Sequence, residues 1–195
     1  MSVEVRRIPP EAVAGILDHV ARLRIAVFRE WPYLYDGSLE YERGYLQTYA
    51  DNPRAVLVGA FDGGRMVGAA TGTPMADHAE EFSAPLAAVG WDFRDAFYCA
   101  ESVLLPDWRG QGAGHLFFDM REAAARRAGF TYSVFASVIR SRDHPMRPAR
   151  ARGLAPFWRK RGYAPLDAPP AEFRWRDVGE PADTTKPLAL WGRRL

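Results

Sequence analysis

Fifteen residues constrain this chain more than any other stretch. They read Glu101-Ser-Val-Leu-Leu-Pro-Asp-Trp-Arg-Gly-Gln-Gly-Ala-Gly-His115. An apolar run is stopped by Pro106, a short loop carries glycine at 110, 112 and 114, and a helical pattern follows. Glycine has no Cβ, so consecutive N–H groups can converge on one point. Such a nest, backed by a helix N-terminus, is suited to an anion. Arg109 adds a permanent charge that matches phosphate geometry. The fold must therefore place a buried strand directly before a glycine loop and a long helix.

Three phosphate-binding patterns can be compared with it. A Walker A loop needs Lys and Ser or Thr after its last glycine, and Gly114 is followed by His115 and Leu116. A dinucleotide fingerprint, Gly-x-Gly-x-x-Gly, would need glycine at 115 or 117, which are His and Phe. That fingerprint also follows the first strand of its sheet, whereas several strands precede this loop. What fits is Arg-x-x-Gly-x-Gly, from Arg109 to Gly114, after a strand that ends in an apolar pair and proline.

The rest of the chain surrounds this segment with a mixed pattern. Val3 to Ile8 alternates and is closed by Pro9 and Pro10, which predicts a strand. Val13, Ile16, Leu17, Val20, Leu23 and Val27 recur at helical spacing over 11–28. A second helix is expected over 39–49 with Ser38 as N-cap. Apolar runs over 54–61 and 65–72 flank Asp62-Gly63-Gly64, a hairpin signal. An insertion over 74–95 holds a short helix near 80–89. A buried strand over 96–105 precedes a helix over 113–128, with Leu116, Phe117, Met120 and Ala124 on one face. There Glu122 and Arg126 form an i,i+4 pair, and Gly129 is placed to end the helix. A strand over 132–139, a Pro/Arg-rich loop over 140–153, a short helix over 155–161 and two final strands complete the order. With no repeat or linker in view, 1–195 is read as one domain. The alternation of hairpins and crossovers predicts an α/β domain with a mixed sheet and helices on both faces.

Composition sharpens this. Hydrophobic residues make up 48% of the 195, enough for a real core, and one Cys excludes a disulfide framework or a Cys-based zinc site. The formal charge of +2 conceals a division. Residues 101–165 hold 12 Arg and Lys against 5 Asp and Glu, while the remainder holds 14 against 19. A basic block suits a polyanion, and an acidic remainder suits a cation. No apolar run nears the roughly 20 residues of a membrane span. The N-terminal residues are too polar for a signal-peptide core, so a cytoplasmic protein is expected. The four His residues lack metal-ligand spacing, so no metal is expected.

From Val103 through Gly114 the chain resembles the GNAT superfamily of N-acetyltransferases, whose central motif is a strand, Pro-x-x-Arg-Gly-x-Gly-x-Gly and a helix. Ala155-Pro-Phe-Trp-Arg-Lys-Arg-Gly-Tyr163 resembles the family's fourth-helix motif, and the element order agrees across nearly the whole chain. The resemblance implies a mostly antiparallel mixed sheet whose fourth and fifth strands splay apart to hold acetyl-coenzyme A. The backbone of Ser102, Val103 and Leu104 would pair with the pantetheine arm. Arg109, Gly110, Gln111, Gly112, Ala113 and Gly114 would take the pyrophosphate. It implies direct acetyl transfer to an amine, with Glu101 as the candidate base; a structural carboxylate paired to an Arg is the other reading of that residue. The family's usual Tyr acid aligns with Trp158, whose indole N–H does not fill that role. This leaves Tyr98, Tyr163, Cys99 or water, or a thiolate that departs unaided. It also favours a second class, a non-catalytic acyl-coenzyme A-binding domain. Tyr163 matches a position that normally packs.

The acceptor site is expected around Trp31, Tyr33, Tyr35 and Asp36, where aromatics beside a carboxylate suit a cationic amine; a packed inter-helix turn is the alternative. Glu80, Glu81, Trp91 and Asp92 could extend it. The loop from Arg140 to Pro148 either reaches the cofactor phosphates or the acceptor, or is simply solvated. The expected partner is a small-molecule amine or a peptide N-terminus. Nucleic acid and membrane are not expected, and a homodimer is compatible with the resemblance.

Overall fold

The computed structural model describes residues 3–77 and 82–195. In chain order the elements are β1 (Glu4–Arg7), α1 (Pro10–Phe28), α2 (Leu39–Ala50), β2 (Val56–Asp62), β3 (Arg65–Pro74), α3 (Ser83–Ala88), β4 (Ala96–Tyr98), β5 (Ser102–Leu104), α4 (Ala113–Arg127), β6 (Tyr132–Val138), α5 (Ala155–Lys160), β7 (Ala164–Pro165), β8 (Ala171–Trp175) and β9 (Thr184–Arg194). Most expected elements are present. The local signals act as read. Ser38 caps α2 by accepting from the Tyr41 N–H at 3.3 Å, and Gly63 and Gly64 turn the β2–β3 hairpin with positive φ. Gly129 follows α4 at φ +82°, and Arg126 pairs with Glu122 at 3.5 Å. The helix expected near 80–89 is seen as α3; residues 80 and 81 lie outside the described residues.

The strands form one sheet in the order β1-β2-β3-β4-β6-β9-β7, with β5 also on β3 and β8 also on β9. Among the described pairings only β4 with β6 is parallel; the others are antiparallel. α1 and α2 cover one face. Val13, Leu17, Val20, Leu23, Leu46 and Tyr49 meet Leu57, Ala69 and Val103 there. α4 covers the other face, where Phe117, Phe118 and Ala125 meet Val56, Val58 and Ala60. Each fully buried side chain of this size contributes about 1.5–3 kcal/mol. One expectation about α4 is corrected. Leu116 is exposed, and the buried stripe is Phe117, Phe118, Arg121, Ala124 and Ala125. The helix is turned by about one position because it presents its two aromatics to the sheet.

A second correction matters more. The strand expected over 96–105 is interrupted. Thr73 lies opposite Tyr98, whereas Ala70 lies opposite Ser102. Thr71 and Gly72 therefore face Cys99, Ala100 and Glu101, so the strand carries one extra residue. This is a β-bulge, which bends a strand and re-aims its side chains. The bulge coincides with a parting of the sheet. β6 pairs with β4 at Ala96–Tyr98, and the Cys99 N–H still donates to Val134 O at 2.8 Å. Beyond that point β5 follows β3 while β6 follows β9 as far as Val138. No ladder joins β5 to β6 among the described residues. This is the expected splay.

Candidate active site

At one end of the splay lies the glycine loop. Gly110 and Gly112 have φ of +80° and +89°, and Gly112 is the N-cap of α4. Among the described residues, no protein acceptor takes the N–H groups of Gly110, Gln111, Gly112, Ala113 or Gly114; the first helical bond to this turn runs from the His115 N–H to Gly112 O at 2.9 Å. This is the nest that the spacing predicts, on a 15-residue helix whose dipole favours an anion. Gly114 is informative because the fold does not require it. It has ordinary φ, and a Cβ there would touch the Phe157 ring at 3.5 Å, an ordinary contact. Its missing Cβ leaves the N-terminal turn of α4 open on that side. Gly114→Ala should therefore leave the melting temperature unchanged or raised while weakening coenzyme A binding about tenfold or more, that is by about 1.4 kcal/mol or more. Calorimetric titration beside a thermal melt checks both halves. Gly112→Val, strained by its positive φ, should lose binding and some stability together.

Arg109 leaves this loop sideways. Its Nε donates to Leu104 O at 2.9 Å and its Nη1 pairs with Glu30 at 2.9 Å. Its charge is thus shared with the end of α1. Of the three β5 residues, alternation along the antiparallel ladder turns Val103's backbone groups toward β3, since the Thr71 N–H donates to Glu101 O and the Leu105 N–H to Val67 O. Ser102 presents its N–H and C=O to the splay, and Leu104 its N–H, its C=O being held by Arg109. Val103 instead packs its side chain under α1.

Glu101 sits beside the bulge with its carboxylate on the α1–α2 side. It accepts from the Tyr45 and Thr71 hydroxyls and pairs with Arg24 at 2.5 Å. Arg24 also holds Glu42 at 2.5 Å. All three are nearly buried, Glu42 completely and Glu101 with 10% of its side chain exposed. Burial alone would favour a neutral Arg24. The charge of Glu101, then Tyr45 and Glu42, outweighs it and holds the guanidinium pKa well above its ordinary value. Tyr33, Tyr45, Tyr49 and Tyr98 surround the cluster. Burial first, and the Glu101 charge second, push every one of these phenols up, Tyr33 to about 12. They remain neutral donors across the physiological range. On the α1–α2 side two carboxylates share one guanidinium.

The expected acceptor residues are distributed unevenly. Tyr33 belongs to the Glu101 cluster and packs on Phe28 and Trp175, with ring centroids 4.5 and 6.0 Å away. Tyr35 lies beside Glu42, and burial together with that charge pushes its phenol up. Trp31 packs on His144 at 5.4 Å. Asp36 points elsewhere, held by Arg29 at 2.8 Å and Arg176 at 2.9 Å. The Arg29 hydrogen bond and the Arg176 charge hold its carboxyl below the ordinary range despite some desolvation, so its charge is already balanced. Trp91 stacks on Tyr132, with centroids 4.0 Å apart, and Asp92 caps a turn against Arg94. Glu80 and Glu81 lie outside the described residues.

Sequence reasoning missed Arg24, Glu42, Tyr45, Tyr49 and Thr71, as well as the fastening of this wall. Arg140 donates to Pro32 O at 2.8 Å and Tyr33 O at 2.6 Å, and it grips Asp177 through both terminal nitrogens at 2.6 and 2.9 Å. The 31–36 turn is thus tied to the end of β6 and to the segment after β8. Burial would raise the Asp177 carboxyl, but Arg140 and then Lys186 win and lower it. A depressed folded pKa stabilises above the unfolded carboxyl range, near pH 4, and that stability is lost as pH falls through the folded value. Asp177→Asn should therefore lower the melting temperature at pH 7, with the deficit vanishing as pH falls below about 4.

The residues considered as proton donors are also placed. Trp158 packs between Phe135 and Trp191, with centroids 4.9 and 5.0 Å away. Tyr163 is core, bonded to Ser133 at 2.6 Å and donating to Glu122 at 3.0 Å. Burial, with the nearby Cys99 and Glu122, pushes its phenol far up. Cys99 is buried and meets the Ser133 hydroxyl at 3.4 Å. Among the described residues no cluster of three or more His, Cys, Asp or Glu could hold a metal. No described helix is long and apolar enough to cross a membrane.

A splayed mixed sheet with an anion nest at the head of the following helix defines an acyl-coenzyme A transferase architecture. The family model of the acetyltransferase (GNAT) family matches residues 21–163, and the chain belongs to that family. No curated protein matches the sequence. Many solved structures share the fold. A GNAT-family acetyltransferase from Streptococcus pneumoniae superposes with a TM-score of 0.58 at 14% identity, covering 100% of both chains. The PaiA N-acetyltransferase from Thermoplasma acidophilum, solved with coenzyme A, gives 0.53 at 14% identity over 100% of both. A ribosomal-protein-alanine N-acetyltransferase from Brucella melitensis gives 0.58 at 14% identity, covering 98% of this chain and 99% of that one.

Proposed function

We propose that the protein transfers an acetyl group from acetyl-coenzyme A to a primary amine by direct attack. The observation that carries this reading is the alignment of three features along one splay: the nest over 110–114, the outward backbone groups of Ser102 with the Leu104 N–H, and the carboxylate of Glu101 beside the bulge. The nest takes the pyrophosphate and β5 the pantetheine arm. Acetyl-coenzyme A supplies an activated thioester. The amine nitrogen forms the new C–N bond, the C–S bond breaks, the nitrogen gives up a proton and the sulfur gains one.

Glu101 is assigned as the proton acceptor. Arg24 is locked in its charged form and the four tyrosines are locked neutral, so a carboxylate is what remains. Glu42 is completely buried, whereas Glu101 stands next to the bulge, beside the splay. The Glu101 carboxylate, close to the splay, steadies the positive nitrogen formed on attack. Tyr98 and Tyr163 are poor acids here, and Trp158 offers no acidic proton. A thiol has an ordinary pKa of about 8.5, so its thiolate can leave and be protonated by water.

The test is release of free thiol from acetyl-coenzyme A with a panel of primary amines (diamines, amino acids and peptides with free N-termini), with the amide product confirmed by mass. Amine-dependent release supports the reading. Tight coenzyme A binding with every amine left unmodified would instead favour a non-catalytic acyl-coenzyme A-binding domain.

A further inference from the structure

We infer that Arg121 is a positioning residue: from the α4 side it clamps the first residues beyond the bulge, and so sets the β5 edge that receives the pantetheine arm. The inference rests on the acyl-donor reading given above.

Arg121 lies in the middle of α4 and is completely buried. Its Nε donates to Phe117 O at 3.1 Å, one turn back in its own helix. Nη1 donates to two backbone carbonyls, Thr71 O at 2.9 Å and Glu101 O at 2.8 Å. Nη2 donates to Ser102 Oγ at 2.8 Å. The guanidinium carbon lies 4.9 Å from the Phe118 ring centroid. Among the described residues no carboxylate pairs with it. A buried cation whose partners are neutral is costly. A leucine or methionine would occupy the same stripe of α4 without that penalty.

The bulge explains what only a guanidinium can do. Thr71 and Glu101 form the first pair beyond the slip, which lies at Gly72 opposite Cys99 and Ala100, and the Thr71 and Glu101 carbonyls meet at one Arg121 nitrogen. A planar fork satisfies both carbonyls and reaches the neighbouring serine hydroxyl as well. Fixing Glu101 O and Ser102 Oγ together fixes the peptide between them. The Glu101 side chain is thereby sent to the α1–α2 face, and the Ser102 N–H and C=O are sent into the splay. Without the fork to pin the Thr71–Glu101 pair, the bulge could migrate along the strand, which would turn β5 by one position and withdraw its outward groups.

The test separates the arm from the phosphates. Affinities are measured calorimetrically for coenzyme A and for adenosine 3′-phosphate 5′-diphosphate, which keeps the pyrophosphate but lacks the pantetheine arm. The wild-type protein should bind coenzyme A more tightly than the fragment. In Arg121→Met the fragment should bind as before, while coenzyme A loses about tenfold or more, so the ratio collapses toward one. Arg121→Lys should recover part of the ratio. Ser102→Ala, which removes one contact of the fork and leaves α4 intact, should lower it about threefold, and it serves if the methionine variant does not fold. An unchanged ratio in the folded variants would overturn the positioning role while leaving the donor reading intact. A wild-type protein that binds neither ligand would overturn both.

Discussion

Glu101→Gln is expected to lower turnover about a hundredfold or more, the scale of a lost general base, while coenzyme A affinity stays within about twofold. The substitution keeps the side-chain shape and the Arg24–Glu42 pair, and its one carbonyl oxygen can still accept from one of the Tyr45 and Thr71 hydroxyls, which now donate to separate carboxylate oxygens. It removes the charge and the site for the proton, and the other hydroxyl must turn to accept from the new amide NH2. The donor groups at 110–114 belong to a different element and should not notice the change. A residual rate that rises with pH from 6 to 9, as solvent takes over proton removal, would accompany the loss. Turnover equal to wild type across that range would remove Glu101 from the chemistry and leave it as a structural partner of Arg24.

Arg24→Met is expected to have the largest effect on stability, a loss of about 3–5 kcal/mol in urea unfolding, the scale for stripping the partner from a buried charge. Arg24 is the shared counter-ion of Glu42 and Glu101, at 2.5 Å from each. It also stacks against Tyr45 and Phe28, at 4.5 and 5.1 Å from their centroids. Methionine fills the volume but leaves two buried carboxylates facing each other. Adding Glu42→Gln and Glu101→Gln should return much of the stability without activity, because the repulsion disappears along with the base. A single-variant loss below about 1 kcal/mol would show that the triad is a surface-like pair after all.

Much of this architecture was legible because it is local. A proline-stopped strand, three alternate glycines and a helix define the nest within 15 residues, and the double-glycine turn defines its hairpin. The splay followed from family resemblance rather than from any spacing in the chain. The Glu101 cluster was harder because its members lie on α1, α2, β3 and beside the bulge, brought together only by packing. A signal was nevertheless present. Arg24 occupies the buried stripe of α1, four residues after Val20, and Arg121 lies four after Phe117 on α4. A charge at an apolar stripe position needs a buried partner, and that requirement pointed inward before the partner was known. The bulge itself had no legible mark, since slipping a strand by one residue leaves its apolar run unchanged. The pairing of Asp36 was illegible for the same reason as the Glu101 cluster, since Arg29 lies seven residues before it and Arg176 comes from the far end of the chain.

The proposed function stands or falls on where coenzyme A sits. Titrating it into the isotope-labelled protein and following backbone amide resonances tests this directly. Coenzyme A seated in the splay should give saturable shifts at Gly110, Gln111, Gly112, Ala113 and Gly114 together with Ser102 and Leu104, and weaker ones at Val103, whose N–H faces β3. Shifts confined to the Arg-rich loop over 140–153, or no saturable shift at all, would contradict that seating.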